Sequence, residues 1–219
     1  MDLVKTLKFL KSLSRNNNRV WFEKNKGTYL ECKESFEALV TAYLHELINF
    51  HPELASLNPK KLPFRIYRDV RFSKDKRPYK TNMGAGFSPN GKLVQEPGYY
   101  LHLEPGGSFL AGGIYMPDPT NLGKIRQEID YNGDKLEKIM KDKSFRKWFK
   151  DFGDFDRLKT APKGYAKDHP RIEWLKNRSF IVTHNFTDAD VCNPRFVKNL
   201  SAASQAMKPL VDYMKEALA

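Results

Sequence analysis

Apolar residues recur at intervals of three and four towards both ends of the chain and at intervals of two in its middle. The pattern alone therefore predicts helical ends around a sheet-forming centre. Leu3, Leu7, Leu10 and Leu13 fall near one helical face, with Lys5, Lys8 and Lys11 elsewhere, which predicts a short amphipathic helix from Asp2 to Leu13. The polar run Arg15-Asn16-Asn17-Asn18 breaks it and can cap the next helical turn. After a first turn around Trp21 and Phe22, a longer helix carries Phe36, Leu39, Val40, Tyr43, Leu44, Leu47 and Ile48. It ends near His51-Pro52, because a residue before proline is pushed out of the helical region.

From Pro63 the period becomes two. Phe64, Ile66, Val70 and Phe72 share one face and Arg65, Tyr67, Asp69 and Arg71 the other, predicting a strand over 64–72 in which Arg68 lands on the apolar side. Ser73 to Pro78 reads as a basic turn, followed by a stretch punctuated by Gly84, Gly86 and Gly91. Residues 98–116 predict a hairpin: Leu101 and Leu103 oppose Tyr100, His102 and Glu104, Pro105-Gly106-Gly107-Ser108 reverses the chain, and Phe109 to Met116 returns. Within it Ala111, Gly112 and Gly113 leave room for a ligand, a packed helix or a bulge.

Helical patterns continue over 120–131, 133–141, 144–150 and 170–176, with Asp118 and Asp168 as helix starts, and an apolar strand spans 180–186. Pro194 opens a last helix holding Phe196, Leu200, Ala203, Met207, Leu210, Val211, Met214 and Leu218, and Pro209 inside it predicts a kink or a break. There is no internal repeat, low-complexity tract or linker. The expectation is one α+β domain over 1–219, a mostly antiparallel sheet with helices at both ends and packed on one face.

Composition supports a packed core: of 219 residues, 40% are apolar and 13% aromatic, which excludes a disordered chain. Cys32 and Cys192 sit in no Cys-x-x-Cys or Cys/His cluster, so neither a structural zinc nor a disulfide framework is indicated, and reduced thiols in a cytoplasmic protein are expected. No apolar run is long enough to span a bilayer and the first residues do not resemble a secretory signal, so no membrane association is expected. Charge adds more. Lys and Arg number 38 against 26 Asp and Glu, a net +12, and residues 61–80 hold eight cationic side chains against two acidic ones, half of that excess. Such a local field attracts phosphates and other anions.

The candidate anion-binding residues are Arg65, Tyr67, Arg68, Arg71, Lys74, Lys76, Tyr79 and Lys80. Arginines offer two-pronged donors for phosphate, lysines add point charge, and tyrosine rings offer stacking faces. The structural alternative is that Asp69 and Asp75 neutralise part of this charge and that Arg68 pairs with a carboxylate. His102 and Glu104, two apart on a strand, point the same way as Tyr100. If the 64–72 strand lies beside them, Asp69 joins His102 and Glu104 as a candidate acid–base group. These ligands are too scattered to indicate a metal site. Asp168-His169, His184 and the turn Lys163-Gly164-Tyr165 fit structural roles first. The chain contains no Gly-x-Gly-x-x-Gly after a strand, no P-loop and no Gly-x-Ser-x-Gly elbow.

Three strings, RIYRDVRFSKDKRPYK at 65–80, GYYLHLEPGGSFLAGGIYMP at 98–117 and PKGYAKDHPRIEWLKNRSF at 162–180, resemble a widespread, mainly bacterial family of about this length, catalogued as a domain of unknown function. The resemblance spans essentially the whole chain. It implies an α+β domain and carries no activity, cofactor or catalytic residue. The residues themselves point first to a phosphate-bearing or other anionic ligand, nucleotide or nucleic acid, bound at 65–80. A hydrolase or transferase using His102 and Glu104, and a scaffold for an acidic partner, are the alternatives. The sequence leaves any cofactor unknown.

Overall fold

The computed structural model describes residues 1–92, 95–153 and 156–219. The fold is α+β, with helices at both ends and a four-stranded antiparallel sheet between them. Helices α1 (Leu3–Arg15), α2 (Arg19–Lys24) and α3 (Lys26–Ile48) come first. Their starts obey capping chemistry: the Asp2 side chain accepts from the Lys5 amide at 2.8 Å and Asn18 accepts from the Trp21 amide at 2.9 Å. Strands β1 (Met83–Phe87), β2 (Gly98–Leu103) and β3 (Ser108–Ile114) come next. Then come α4 (Pro119–Lys141), α5 (Lys143–Trp148), α6 (Ile172–Leu175), β4 (Phe180–Phe186), α7 (Asp188–Val191) and α8 (Phe196–Leu218). The sheet order is β1-β2-β3-β4.

Residues 98–116 form the expected hairpin. Asp118 caps α4, and the break expected near residue 132 is real: Asn132 leaves helical geometry at φ −117°, ψ 25°. Pro209 does not break α8, which runs continuously from Phe196 to Leu218. Asp168 is not a helix cap. Arg171 occupies that position in α6, and His169 bonds Asp130 at 2.9 Å instead.

The strand expected over 64–72 is the main correction. Only isolated antiparallel bridges form, Pro63 to Ala85 and Tyr67 to Tyr79. Backbone bonds from Phe64 to Gly84, Lys80 to Ile66 and Arg68 to Pro78, at 2.8 to 2.9 Å, tie 63–68 to 78–85 as an irregular two-stranded ribbon. Pairing ends at Arg68, while the alternation of exposure persists through Val70 and fails at Phe72, which stands 95% exposed instead of facing inward. Pro63 and Pro78 bring no amide donor, and the basic turn starts before a ladder can propagate.

By internal contacts the chain divides into two compact units. The first comprises Met1–Lys92, Tyr100–Leu110 and Asn185–Ser201. Its core includes Leu10, Leu13, Phe22, Leu39, Tyr43 and Phe87, with the Tyr43 and Phe87 rings meeting edge to face at 4.9 Å. The second takes the described residues within 93–99, 111–184 and 202–219. There the small residues of β3 receive a helix and a neighbouring strand, not a ligand. A methyl at Gly112 would lie 2.0 Å from the Met207 sulfur of α8, and one at Gly113, whose φ is +116°, 2.0 Å from the Phe180 carbonyl oxygen of β4.

Candidate functional site

Most of the arginine charge at 65–80 is consumed locally. Arg71 chelates Asp69 through Nε and Nη2 at 3.0 and 2.7 Å, and Arg77 chelates Asp75 at the same two distances. Arg68 Nη1 also reaches Asp75, at 2.7 Å, and donates to the Arg77 carbonyl at 3.2 Å. Arg68 is thus half-buried and paired with a carboxylate of its own turn. Arg77 and Arg68 hold the Asp75 carboxyl far below the usual carboxylate range, Arg77 contributing most, and Arg71 likewise lowers Asp69. Lys76 Nζ donates to the Val70 carbonyl at 3.0 Å, closing the loop.

Asp69 therefore belongs to the ribbon tip and does not join His102. The assumed adjacency fails because the neighbours of β2 in the sheet are β1 and β3. Tyr79 is not a stacking face for a ligand either: it is buried, its ring stacked on Phe22 at 3.9 Å. Tyr67, by contrast, is half exposed and packs one side against Phe22 and Tyr79.

The remaining cations gather elsewhere. Lys80 Nζ lies 5.5 Å from the centre of the Phe64 ring and Lys92 Nζ lies 5.4 Å from it. Lys92 also donates to the Pro63 carbonyl. Burial lowers the pKa of Lys80, and the neighbouring charges of Arg65 and Lys92 push the same way; burial also lowers Lys92. Among the described residues, Arg65, Lys80 and Lys92 form no ion pair with a carboxylate. Lys80 and Lys92 thus share a half-desolvated corner, with the exposed Arg65 near enough to repel Lys80 and none of the three ion-paired, an arrangement that an anion stabilises.

The exposed side of β2 borders this corner through Tyr100, whose ring meets Phe64 edge to face at 6.1 Å. Tyr100, His102 and Glu104 do share one face, as expected from their spacing. The Tyr100 hydroxyl lies 3.1 Å from His102 Nδ1, His102 Nε2 lies 3.1 Å from Glu104 Oε2, and Thr81 Oγ1 donates to Glu104 Oε1 at 2.7 Å. With Glu104 ionised, Nε2 carries the imidazole proton and Nδ1 accepts from the phenol. The His102 ring stacks on Phe109 at 4.5 Å. Burial and the Glu104 charge push the Tyr100 phenol up to about 12. Both imidazole nitrogens are committed, so this chain of side chains is built to hold groups in place.

Two glycines make the surface possible. A methyl at Gly84 would stand 2.4 Å from the Tyr100 hydroxyl oxygen, and one at Gly86 would crowd the Lys92 Cβ and backbone at 3.2 to 3.3 Å. Sequence reasoning missed Lys92 and assigned Phe64 to the core alone. The signal that locates them is Gly84-x-Gly86 on a strand, which marks where neighbouring atoms cross close to the backbone. Lys74 sits at the ribbon tip.

The second unit holds a cleft of about 500 Å3 lined by Met140, Trp174, Pro170 and several charged groups. Part of that charge is met within the protein: Lys141 pairs with Glu137 and Arg171 with Asp134, Arg146 donates to the Lys150 carbonyl at 2.7 Å, and Asp151 accepts from Trp174 Nε1 at 3.1 Å. His184 bonds the Trp148 carbonyl at 2.9 Å, a structural role as expected, and Lys163-Gly164-Tyr165 is a turn with Gly164 at φ +93°. Among the described residues, no group of three or more His, Cys, Asp or Glu side chains is placed to hold a metal ion, and no helix is long and apolar enough to cross a membrane.

A family model described as a conserved hypothetical protein (DUF2461) matches residues 5–213 of the 219-residue chain. No curated protein and no solved structure matches it.

Proposed function

The chain belongs to the conserved hypothetical protein family DUF2461, and we propose that it binds a phosphate-bearing ligand where Arg65, Lys80 and Lys92 surround Phe64. The observation that carries this reading is the convergence of two half-buried ammonium groups on one ring beside Arg65, with no carboxylate paired to any of the three among the described residues. A phosphate supplies the missing negative charge and the acceptors that three donors require. Phe64 and Tyr100 offer ring surface to a planar group attached to the phosphate. Unpaired cysteines, Cys32 buried and Cys192 exposed, fit the cytoplasmic location that forms part of the proposal.

Isothermal titration with inorganic pyrophosphate tests it. The wild-type chain should bind saturably, more weakly as salt rises, and Lys80→Ala combined with Lys92→Ala should cut affinity at least about tenfold, the loss expected of charge-assisted hydrogen bonds. Unchanged affinity in a variant that keeps its circular dichroism spectrum would sink the reading.

The second reading, a hydrolase or transferase, has one observation in its favour: Glu104 keeps 34% side-chain exposure while hydrogen-bonded to His102 beside the cationic corner. In that reading Glu104 is the exposed end of the relay, and His102 positions it.

A further inference from the structure

The ribbon at 63–68 and 78–85 ends in a loop whose Phe72 side chain, at 95%, is the most exposed large apolar group among the described residues. The loop is built, not slack. Asp69 and Asp75 each chelate the arginine two residues on, both also accept that arginine's backbone amide, at 3.2 and 3.0 Å, and Lys76 closes on Val70. Phe72 is therefore held outward by a fixed frame, with the Arg71 guanidinium 5.9 Å from its ring centre. A second ring, Tyr67, stands 48% exposed on the stem, tilted against Phe22 and Tyr79. Along the ribbon, the cations Arg65 and Lys74 flank the available rings of Tyr67 and Phe72, while Arg71 stays chelated to Asp69.

We propose that this ribbon docks single-stranded nucleic acid, with phosphates on Arg65 and Lys74, which pair with no carboxylate among the described residues, and bases stacked on Tyr67 and Phe72. The proposal rests on the reading that the chain binds phosphate and specifies the polymer that brings it. Rings spaced along a basic track match a polyanion that carries a flat face with each charge. A duplex hides those faces inside its stack. An anionic lipid surface would engage the tip alone and leave the exposed Tyr67 ring on the stem without a role.

The test is fluorescence anisotropy of a labelled twelve-residue oligothymidylate with the full chain, alongside pyrophosphate titration of the same samples. Phe72→Leu keeps the apolar bulk and removes the ring; because the side chain is almost fully exposed, the fold is unaffected. Wild type should bind the oligonucleotide, and Phe72→Leu should bind it about tenfold or more weakly, the loss of one base stack, while its pyrophosphate affinity stays unchanged. Equal oligonucleotide affinity in Phe72→Leu and wild type overturns the proposal. So does binding of wild type to phosphatidylserine vesicles but not to the oligonucleotide. If wild type binds pyrophosphate and no oligonucleotide, the polymer assignment falls and the phosphate reading stands; if it binds neither, both fall.

Discussion

Lys80 holds its charge where water is partly excluded and where Arg65 and Lys92 repel it, so its pKa lies below the ordinary 10.5. A lysine with a depressed folded-state pKa binds fewer protons in the native than in the unfolded chain. Between that depressed value and 10.5 its contribution to stability therefore rises with pH. A bound phosphate reverses the cause of the depression by supplying a counter-charge, so ligand binding should draw a proton onto Lys80 in the same window. Calorimetry at a pH just below 10.5, in two buffers of different ionisation enthalpy, should show net proton uptake on pyrophosphate binding. Lys80→Ala should reduce it, leaving only what Lys92, also lowered by burial, takes up, and adding Lys92→Ala should abolish it. No uptake in the wild type would mean that the anion does not meet this side chain. Tyr100, already high, titrates too late to mimic the effect across most of that window.

At the scale of elements, α8 carries Pro209 at an exposed interior position. Proline brings no amide hydrogen, so the Gln205 carbonyl loses its helical donor, and the side chain offers no packing in return. Pro209→Ala should raise stability by roughly 1–3 kcal/mol, read as a higher denaturation midpoint in urea with an unchanged slope. A lower midpoint would show that the proline fixes a bend the core needs.

The sequence makes some elements plain and hides others for identifiable reasons. The hairpin at 98–116 is legible because strict alternation and a Pro-Gly-Gly reversal act over a few residues. The Tyr100-His102-Glu104 face obeys the same local rule. The end of the ribbon is not legible: Phe72 continues the apolar pattern that Val70 still obeys, yet the turn that Asp69 and Asp75 impose on their arginines turns its ring outward. Tyr79 reads as a surface ring because its partner Phe22 lies in a distant helix. The neighbours of β2 depend on strand order, which no local pattern states. Helix α7 is four residues long, too short to show a period, although Thr187 and Asp190 form a capping box across it.

For the whole molecule, half of the net charge of +12 falls in sequence within residues 61–80, and the structure redistributes it. Three arginines there are spoken for by two aspartates, while Lys80 and Arg65 join Lys92 from further along the chain to make the uncompensated group. Function, on this account, lies where cations lack partners within the protein, not where they are densest in sequence. The most direct test is an amide chemical-shift map of the 15N-labelled chain titrated with inorganic pyrophosphate. The account predicts shifts centred on Phe64, Arg65, Lys80, Gly84, Gly86, Lys92 and Tyr100, saturating together and fading at high salt. Shifts confined to the Glu137–Trp174 cleft of the second unit, or no saturable shifts at all, would contradict it.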